Sequence, residues 1–247
     1  MKVIMKTLAD YEYYRTELGV LYCGDCLEIL PLIPDSSVDL VLTDPPYGID
    51  YLSHRTDNHD KLKNDDLETW LLQVPLWLAE FKRLLTNTGC CCCCCGGGKT
   101  PVTTLFTIEA IKHFNLIQTL VWRKFIGLGW RYRPSYENIV ILSKDKDKYN
   151  FYDTTKSCSN VIEGINQDIP NDEEHPTQKP VELMELLLKI HSKTDMLVLE
   201  PFCGGGSTAL ACEKLNRRWI GIEISEKYCE IAKKRIGQEA NQLKLFK

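Results

Sequence analysis

A strand, a glycine-rich loop, a helix and a second strand follow one another near the end of this chain, and that succession leaves few folds open. Met196-Leu197-Val198-Leu199-Glu200-Pro201-Phe202 is an apolar run of strand length. Cys203-Gly204-Gly205-Gly206-Ser207-Thr208 follows, and Ala209 to Leu215 then has helical character. Glycines at such a turn let the backbone approach a ligand closely, and Ser207 or Thr208 is placed to cap the helix. The next apolar run, Trp219 to Ile224, carries Glu223, 19 positions after Gly204. At that spacing a carboxylate on the second strand can take ribose hydroxyls. Ser225 is then the expected cap of a helix from Glu226 to Ile236.

A second motif ends another apolar run. Val38 to Thr43 reads as a buried strand, and Asp44-Pro45-Pro46-Tyr47 stands at its carboxyl end, where open α/β sheets build their sites. Each proline lacks an N–H and fixes its own φ, so the loop offers rigid carbonyl acceptors and no donors there. Asp44 adds a carboxylate, and Tyr47 adds an aromatic face. Two acceptors beside a stacking ring suit the exocyclic amino group of a nucleobase. Taken alone, the four residues are equally well read as a strand-ending proline turn.

Together the two motifs resemble the amino-methylating DNA methyltransferases that use S-adenosylmethionine, in the permuted group whose catalytic motif precedes its cofactor motif. The likeness covers nearly the whole chain. Gly24-Asp25, after an apolar run from Gly19 to Cys23, is similar to the family's contact with the cofactor adenine. His175-Pro176-Thr177-Gln178-Lys179-Pro180 resembles its methionine-binding segment, and Glu200 to Thr208 its principal cofactor loop. The family more often has Asp where this chain has Glu200. The resemblance implies an α/β fold: a doubly wound, mostly parallel, seven-stranded Rossmann-like methyltransferase sheet with permuted motif order. It implies S-adenosyl-L-methionine as cofactor, held by Asp25, Lys179, Glu200, Phe202, Gly204, Gly206, Ser207, Thr208 and Glu223, with Lys179 facing its carboxylate. Asp44, Pro45, Pro46 and Tyr47 would be catalytic. The implied activity is methylation of adenine N6 at a specific DNA site, because Asp at the position of Asp44 goes mostly with adenine and Ser with cytosine. Cytosine N4 is the alternative.

Charge decides where DNA would lie. The net charge is −4, yet residues 122 to 148 hold seven basic side chains against three acids, which gives +4 there and −8 elsewhere. Such asymmetry permits phosphate contact on one face. Arg123, Lys124, Trp130, Arg131 and Arg133 interleave cations with aromatics beside Gly127 and Gly129, and are the expected DNA-binding residues. Residues 122–174 are accordingly a target-recognition insertion within one methyltransferase domain spanning 1–247.

At 247 residues and 44% hydrophobic content the chain can bury one large core. Neither a signal-like leader nor a run of about 18 apolar residues occurs, which leads to the expectation of a cytoplasmic protein without membrane contact. Six of the twelve cysteines are consecutive, Cys90 to Cys95. Neighbours on a strand alternate faces, so the run cannot wrap one metal and reads as a buried strand. No metal site is expected.

A coarse reading places further helices at Cys26–Leu30, Leu67–Leu85 with an interruption at Pro75, Leu105–His113 and Val181–His191. Further strands fall near Leu116–Arg123 and Ile139–Ser143, and 145–174 reads as irregular. The cofactor strand comes late in the chain yet must sit centrally in the sheet. Gly96-Gly97-Gly98-Lys99-Thr100 invites a nucleotide-triphosphatase reading, but the phosphate-loop pattern requires Gly where Cys93 stands. A non-catalytic DNA-binding protein is opposed by the intact Asp44 and cofactor loop. Gln242-Leu243-Lys244-Leu245-Phe246 resembles the peptide by which bacterial proteins dock on the replication sliding clamp, the alternative being a frayed tail. A homodimer is compatible with the same resemblance.

Overall fold

The computed structural model describes residues 6–49, 65–96, 101–125, 132–155, 157–166 and 178–245, with side chains to residue 240. The strands are β1 (Glu12–Arg15), β2 (Gly19–Cys23), β3 (Val38–Thr43), β4 (Leu85–Cys95), β5 (Asn115–Arg123), β6 (Tyr136–Ser143), β7 (Val161–Ile162), β8 (Leu197–Glu200) and β9 (Arg218–Glu223). The helices are α1 (Cys26–Ile29), α2 (Leu67–Leu84), α3 (Val102–Ala110), α4 (Val181–His191), α5 (Ser207–Leu215) and α6 (Glu226–Leu245).

These strands form one sheet in the order β1-β2-β9-β8-β3-β4-β6-β5-β7. From β2 to β4 all neighbours are parallel, and β6 runs against both β4 and β5. The central seven are those the apolar runs predict, and the doubly wound α/β class holds. Two short edge strands are additional: β1, whose residues are exposed or half-buried, and the two-residue β7 within the stretch read as irregular. The end of β5, all of β6 and β7 lie inside 122–174, so that segment is partly sheet.

Each face of the sheet has its own core. Trp70, Val74, Trp77 and Phe81 of α2 and Phe106 of α3 pack on one side, and residues of α4, α5 and α6 on the other. The cysteines divide by the period of two: Cys91, Cys93 and Cys95 join the first cluster, Cys90, Cys92 and Cys94 the second. All six are at most 1% exposed, and burial pushes the thiols of Cys91, Cys92, Cys94 and Cys95 well up, which keeps them protonated. They act as small hydrophobes.

Helix α2 continues through Pro75. The carbonyl that proline leaves without a partner belongs to Leu71, which is 48% exposed, so solvent can satisfy it. Among the described residues no helix is long and apolar enough to cross a membrane.

Candidate active site

The carboxyl ends of β2, β9, β8 and β3 lie side by side, through the pairs Cys23↔Glu223, Glu200↔Gly221 and Val41↔Leu199. Asp25, Glu223, Glu200 and Asp44 are therefore delivered to one edge of the sheet by four strand ends. All four line a single cavity of about 260 Å³. Pro45, Pro46, Tyr47, Lys179, Phe202, Gly204, Ser207 and Thr208 line it too, so the two sequence motifs are halves of one site.

On the β8–β9 side, the loop closes on itself through carboxylates. Glu223 accepts from Gly204 N through one oxygen and from Ser225 N through the other, both at 2.8 Å. Asp25 caps α1, accepting from Leu27 N at 2.9 Å. Gly204 and Gly206 have φ of 50° and 83°, the left-handed region that favours glycine. Gly206, and no side chain, stands at the N-cap of α5. The capping expected of Ser207 and Thr208 is thus replaced: the Ser207 hydroxyl donates to Lys179 O at 2.7 Å, and that of Thr208 to Glu200 Oε2 at 2.9 Å.

Glu200 also accepts from Thr43 Oγ1 at 2.6 Å and Phe202 N at 3.1 Å, and so ties β8, β3 and α5 together. Burial pushes its carboxyl up to about 8 against these hydrogen bonds. Phe202 stands edge-on to Trp77, with centroids 4.8 Å apart. Trp77, also on the cavity wall, has a buried indole N–H without a hydrogen-bond partner among the described residues. A side-chain-free glycine strip, two flanking carboxylates and a spare buried donor fit an adenosyl group carrying amino, hydroxyl and charged ends.

On the β3 side, the Tyr47 hydroxyl donates to Asp44 Oδ1 at 2.5 Å, and the Lys179 ammonium donates to Asp44 Oδ2 at 2.6 Å. Lys179 Nζ is also 3.1 Å from the Tyr47 hydroxyl and 3.4 Å from Glu137 Oε2. Its ammonium therefore lies between the carboxylates of Asp44 and Glu137. Burial alone would depress Lys179, but Asp44 and Glu137 outweigh it and hold the ammonium above the ordinary lysine range. The two carboxylates titrate apart. Burial raises Asp44 despite Lys179, whereas at Glu137 the burial effect is overcome by Lys179 and Lys124 together, which hold it low.

Sequence reading missed the residues that shape this loop. Asp65 Oδ1 accepts from Tyr47 N and Gly48 N, each at 2.8 Å, and Trp70 Nε1 donates to Pro46 O at 2.7 Å. One signal was present: of the pair Asp65-Asp66 only Asp66 is needed to cap α2, where it accepts from Thr69 N. Glu137 was counted only as an acid in a basic window. Arg235 of α6 bonds to Gln178 Oε1 at 2.6 Å and to Gly205 O, joining the residue before Lys179 to the glycine loop.

Of the expected DNA-binding residues, Arg123 is exposed and paired with Glu163 at 2.7 Å, and Arg133 is exposed. The Lys124 ammonium is on Glu137 and 5.3 Å from the centroid of the Trp122 ring. Phe125 and Tyr132 nearby are 75% and 100% exposed. Trp130 and Arg131 lie outside the described residues, as do Gly97 to Thr100 and His175 to Thr177. So do the side chains of Gln242, Leu243 and Leu245, and Phe246 altogether; the backbone of α6 runs to Leu245.

Parallel strand ends that bring a glycine loop, the Glu223 carboxylate and an Asp-Pro-Pro-Tyr turn to one cavity have the architecture of an S-adenosylmethionine-dependent methyltransferase. Residues 38–234 match the N6/N4 family model described as DNA methylase. The Type II methyltransferase M.HinfI of Haemophilus influenzae is 31% identical over 89% of this chain and 68% of its own. The structure of M1.HpyAVI in complex with SAM is 25% identical, with a TM-score of 0.65 over 87% of this chain and 98% of its own. The PvuII DNA methyltransferase (cytosine-N4-specific) has the same fold, with a TM-score of 0.73, 21% identity, and coverage of 94% and 95%. The chain belongs to the N6/N4 DNA methylase family and is a DNA methyltransferase.

Proposed function

We propose that this protein methylates the exocyclic N6 of an adenine turned out of a specific site in duplex DNA, using S-adenosylmethionine. The observation that carries the reading is that Asp44 and the Glu223–Gly204 loop line one cavity, so an amine held by the first faces a ligand held by the second. Bound along the glycine loop, S-adenosylmethionine supplies an electrophilic methyl on a sulfonium sulfur. Asp25 and Glu223 present carboxylates to the adenosyl moiety.

An adenine amine is a weak nucleophile because its lone pair is delocalised into the ring. Asp44 and the Pro45 carbonyl draw on its two hydrogens and return electron density to nitrogen. Pro46 O is already taken by Trp70, which leaves Pro45 O for the second hydrogen. Transfer of the methyl would leave the amine nitrogen with a surplus proton, which Asp44 is placed to take. Burial has made that carboxylate more basic than usual. Inside a duplex the amine cannot enter such a cavity, so the base must be extruded, at a cost of a few kcal/mol that the Tyr47 ring partly offsets. Arg123, Arg133 and the exposed rings of Phe125 and Tyr132 face the duplex in this reading. Adenine is preferred to cytosine because Asp44 holds the first motif position.

Transfer of labelled methyl to duplex DNA, followed by nucleoside mass spectrometry, tests the base: N6-methyladenine supports the reading, and N4-methylcytosine replaces the base while keeping the chemistry. Asp44→Ala is expected to lower transfer by at least about 100-fold with cofactor binding intact. Retained turnover would sink the assignment.

A further inference from the structure

We infer that Glu137 is a positioning residue that receives the Lys179 ammonium when the substrate amine engages Asp44. The inference rests on the amine-methylation reading above.

In the free protein Lys179 Nζ stands 2.6 Å from Asp44 Oδ2, while Tyr47 fills Oδ1. A carboxylate has about four acceptor directions, so geometry alone does not bar a further hydrogen bond. Electrostatics does the blocking. A cation at bonding distance draws off the negative charge that should pull the amine hydrogens, and it repels a nitrogen that becomes positive as it is alkylated. An enzyme that methylates at Asp44 therefore has to move this cation while leaving it a partner, because an unpaired buried ammonium is strongly disfavoured.

Glu137 offers that partner. Its Oε1 is held by Lys124, but Oε2 is buried without a hydrogen bond among the described residues and lies 3.4 Å from Lys179 Nζ. A buried acceptor left open is uncommon and calls for an explanation. The gap to a charge-assisted bond of about 2.8 Å is well under 1 Å, within reach of a side-chain rotation. The Lys179 backbone need not follow: its carbonyl is pinned by Ser207 at 2.7 Å, and α4 begins at Val181. Lys179 and Lys124 together hold the Glu137 carboxyl low, so the receiving group is a charged partner. Each stop of the ammonium is a carboxylate, so the cation itself is never left without a partner.

Glu137→Gln keeps the shape and removes the attraction. The expected result is a kcat for methyl transfer lower by about tenfold, the equivalent of one pK unit of interaction, with cofactor Kd and DNA KM within about twofold of wild type. Glu137→Gln combined with Lys179→Gln should be no slower than Lys179→Gln alone, since Glu137 acts only through Lys179. A wild-type kcat in Glu137→Gln, or additive losses in the double variant, overturns the inference while leaving the methylation reading in place. Absence of transfer by the wild-type protein removes both. Should Glu137→Gln not fold by thermal melt, a wild-type crystal structure with S-adenosylhomocysteine and methylatable DNA decides. Lys179 Nζ bonded to Glu137 Oε2 and withdrawn from Asp44 upholds the inference, and an ammonium still on Asp44 overturns it.

Discussion

The phenol oxygen of Tyr47 sits 2.5 Å from Oδ1 of Asp44, so the ring and the carboxylate of the Asp-Pro-Pro-Tyr turn move as one unit. Burial, reinforced by Asp44, raises the phenol well above its ordinary value, and the hydroxyl remains a donor throughout the working pH range. Lys179 approaches the same ring, 5.4 Å from its centroid. Gly96, at the end of β4, packs against it: a Cβ there would lie 2.8 Å from Tyr47 Cδ2 and Cε2.

Gly96→Ala should therefore displace the Tyr47 ring and, through it, Asp44. A misplacement of about 1 Å at a reacting group can cost on the order of 100-fold, so a fall in kcat of roughly 10- to 100-fold is expected, with cofactor affinity unchanged. Methyl-transfer kinetics beside calorimetric cofactor titration checks this. Unaltered kcat would mean that the ring's placement does not matter. Gly96 thus has a steric role at the end of an apolar strand, where the sequence also suggested a phosphate loop.

Asp65→Ala should act on stability and activity together. It would leave the N–H groups of Tyr47 and Gly48 without their carboxylate, a loss of about 2–4 kcal/mol, or a fall in Tm of roughly 5–15 °C for a chain of this size. Asp65→Asn, which retains an acceptor oxygen, should recover most of it. Equal melting of Asp65→Ala and wild type would show that water replaces the carboxylate freely.

How far the sequence discloses this site depends on the range of the interaction. Strands β2, β3, β8 and β9 and helix α4 are legible because their apolar pattern is local, and Val181–His191 is found to the residue. The glycine loop and Asp44 are legible because backbone chemistry restricts what can stand there. Helix α3 begins three residues before the sequence reading, at Val102. Strand β1 escaped because Glu12-Tyr13-Tyr14-Arg15 lies on the sheet edge and lacks a clean inside and outside. Asp65, Trp70 and Glu137 escaped because each meets a partner 18 to 42 positions away in the sequence, and no local rule pairs them. Lys179 was singled out, but its contact with Asp44 was not foreseen for the same reason: the two lie 135 positions apart.

Glu200 gives a pH test. Its carboxyl titrates at about 8 in the fold, above the ordinary value of 4.5, so the folded protein binds the extra proton between those limits. The stability this group contributes is complete below about 4.5 and is lost as the pH rises through about 8. The melting temperature of the wild type should fall from pH 6 to pH 8.5, with a slope of at most about 1.4 kcal/mol per pH unit from this residue. Glu200→Gln should show a flatter profile, and parallel profiles would count against a shifted Glu200.

The order β2-β9-β8-β3 also has a consequence on the ribosome. Strands β2 and β3 are made early, yet the two places between them are filled by β8 and β9, residues 197–223. Until those residues emerge, the nascent sheet has an open slot with two unpaired inner edges, and such edges are prone to pairing with foreign strands. The contacts that close the slot are long-range, among them Thr43 with Glu200 across 157 positions, which makes closure slow. The carboxylates of Asp44 and Glu223 then come to one cavity only in the last stage of folding, so a chain halted before Leu197 has the Asp-Pro-Pro-Tyr turn but lacks the glycine loop opposite it.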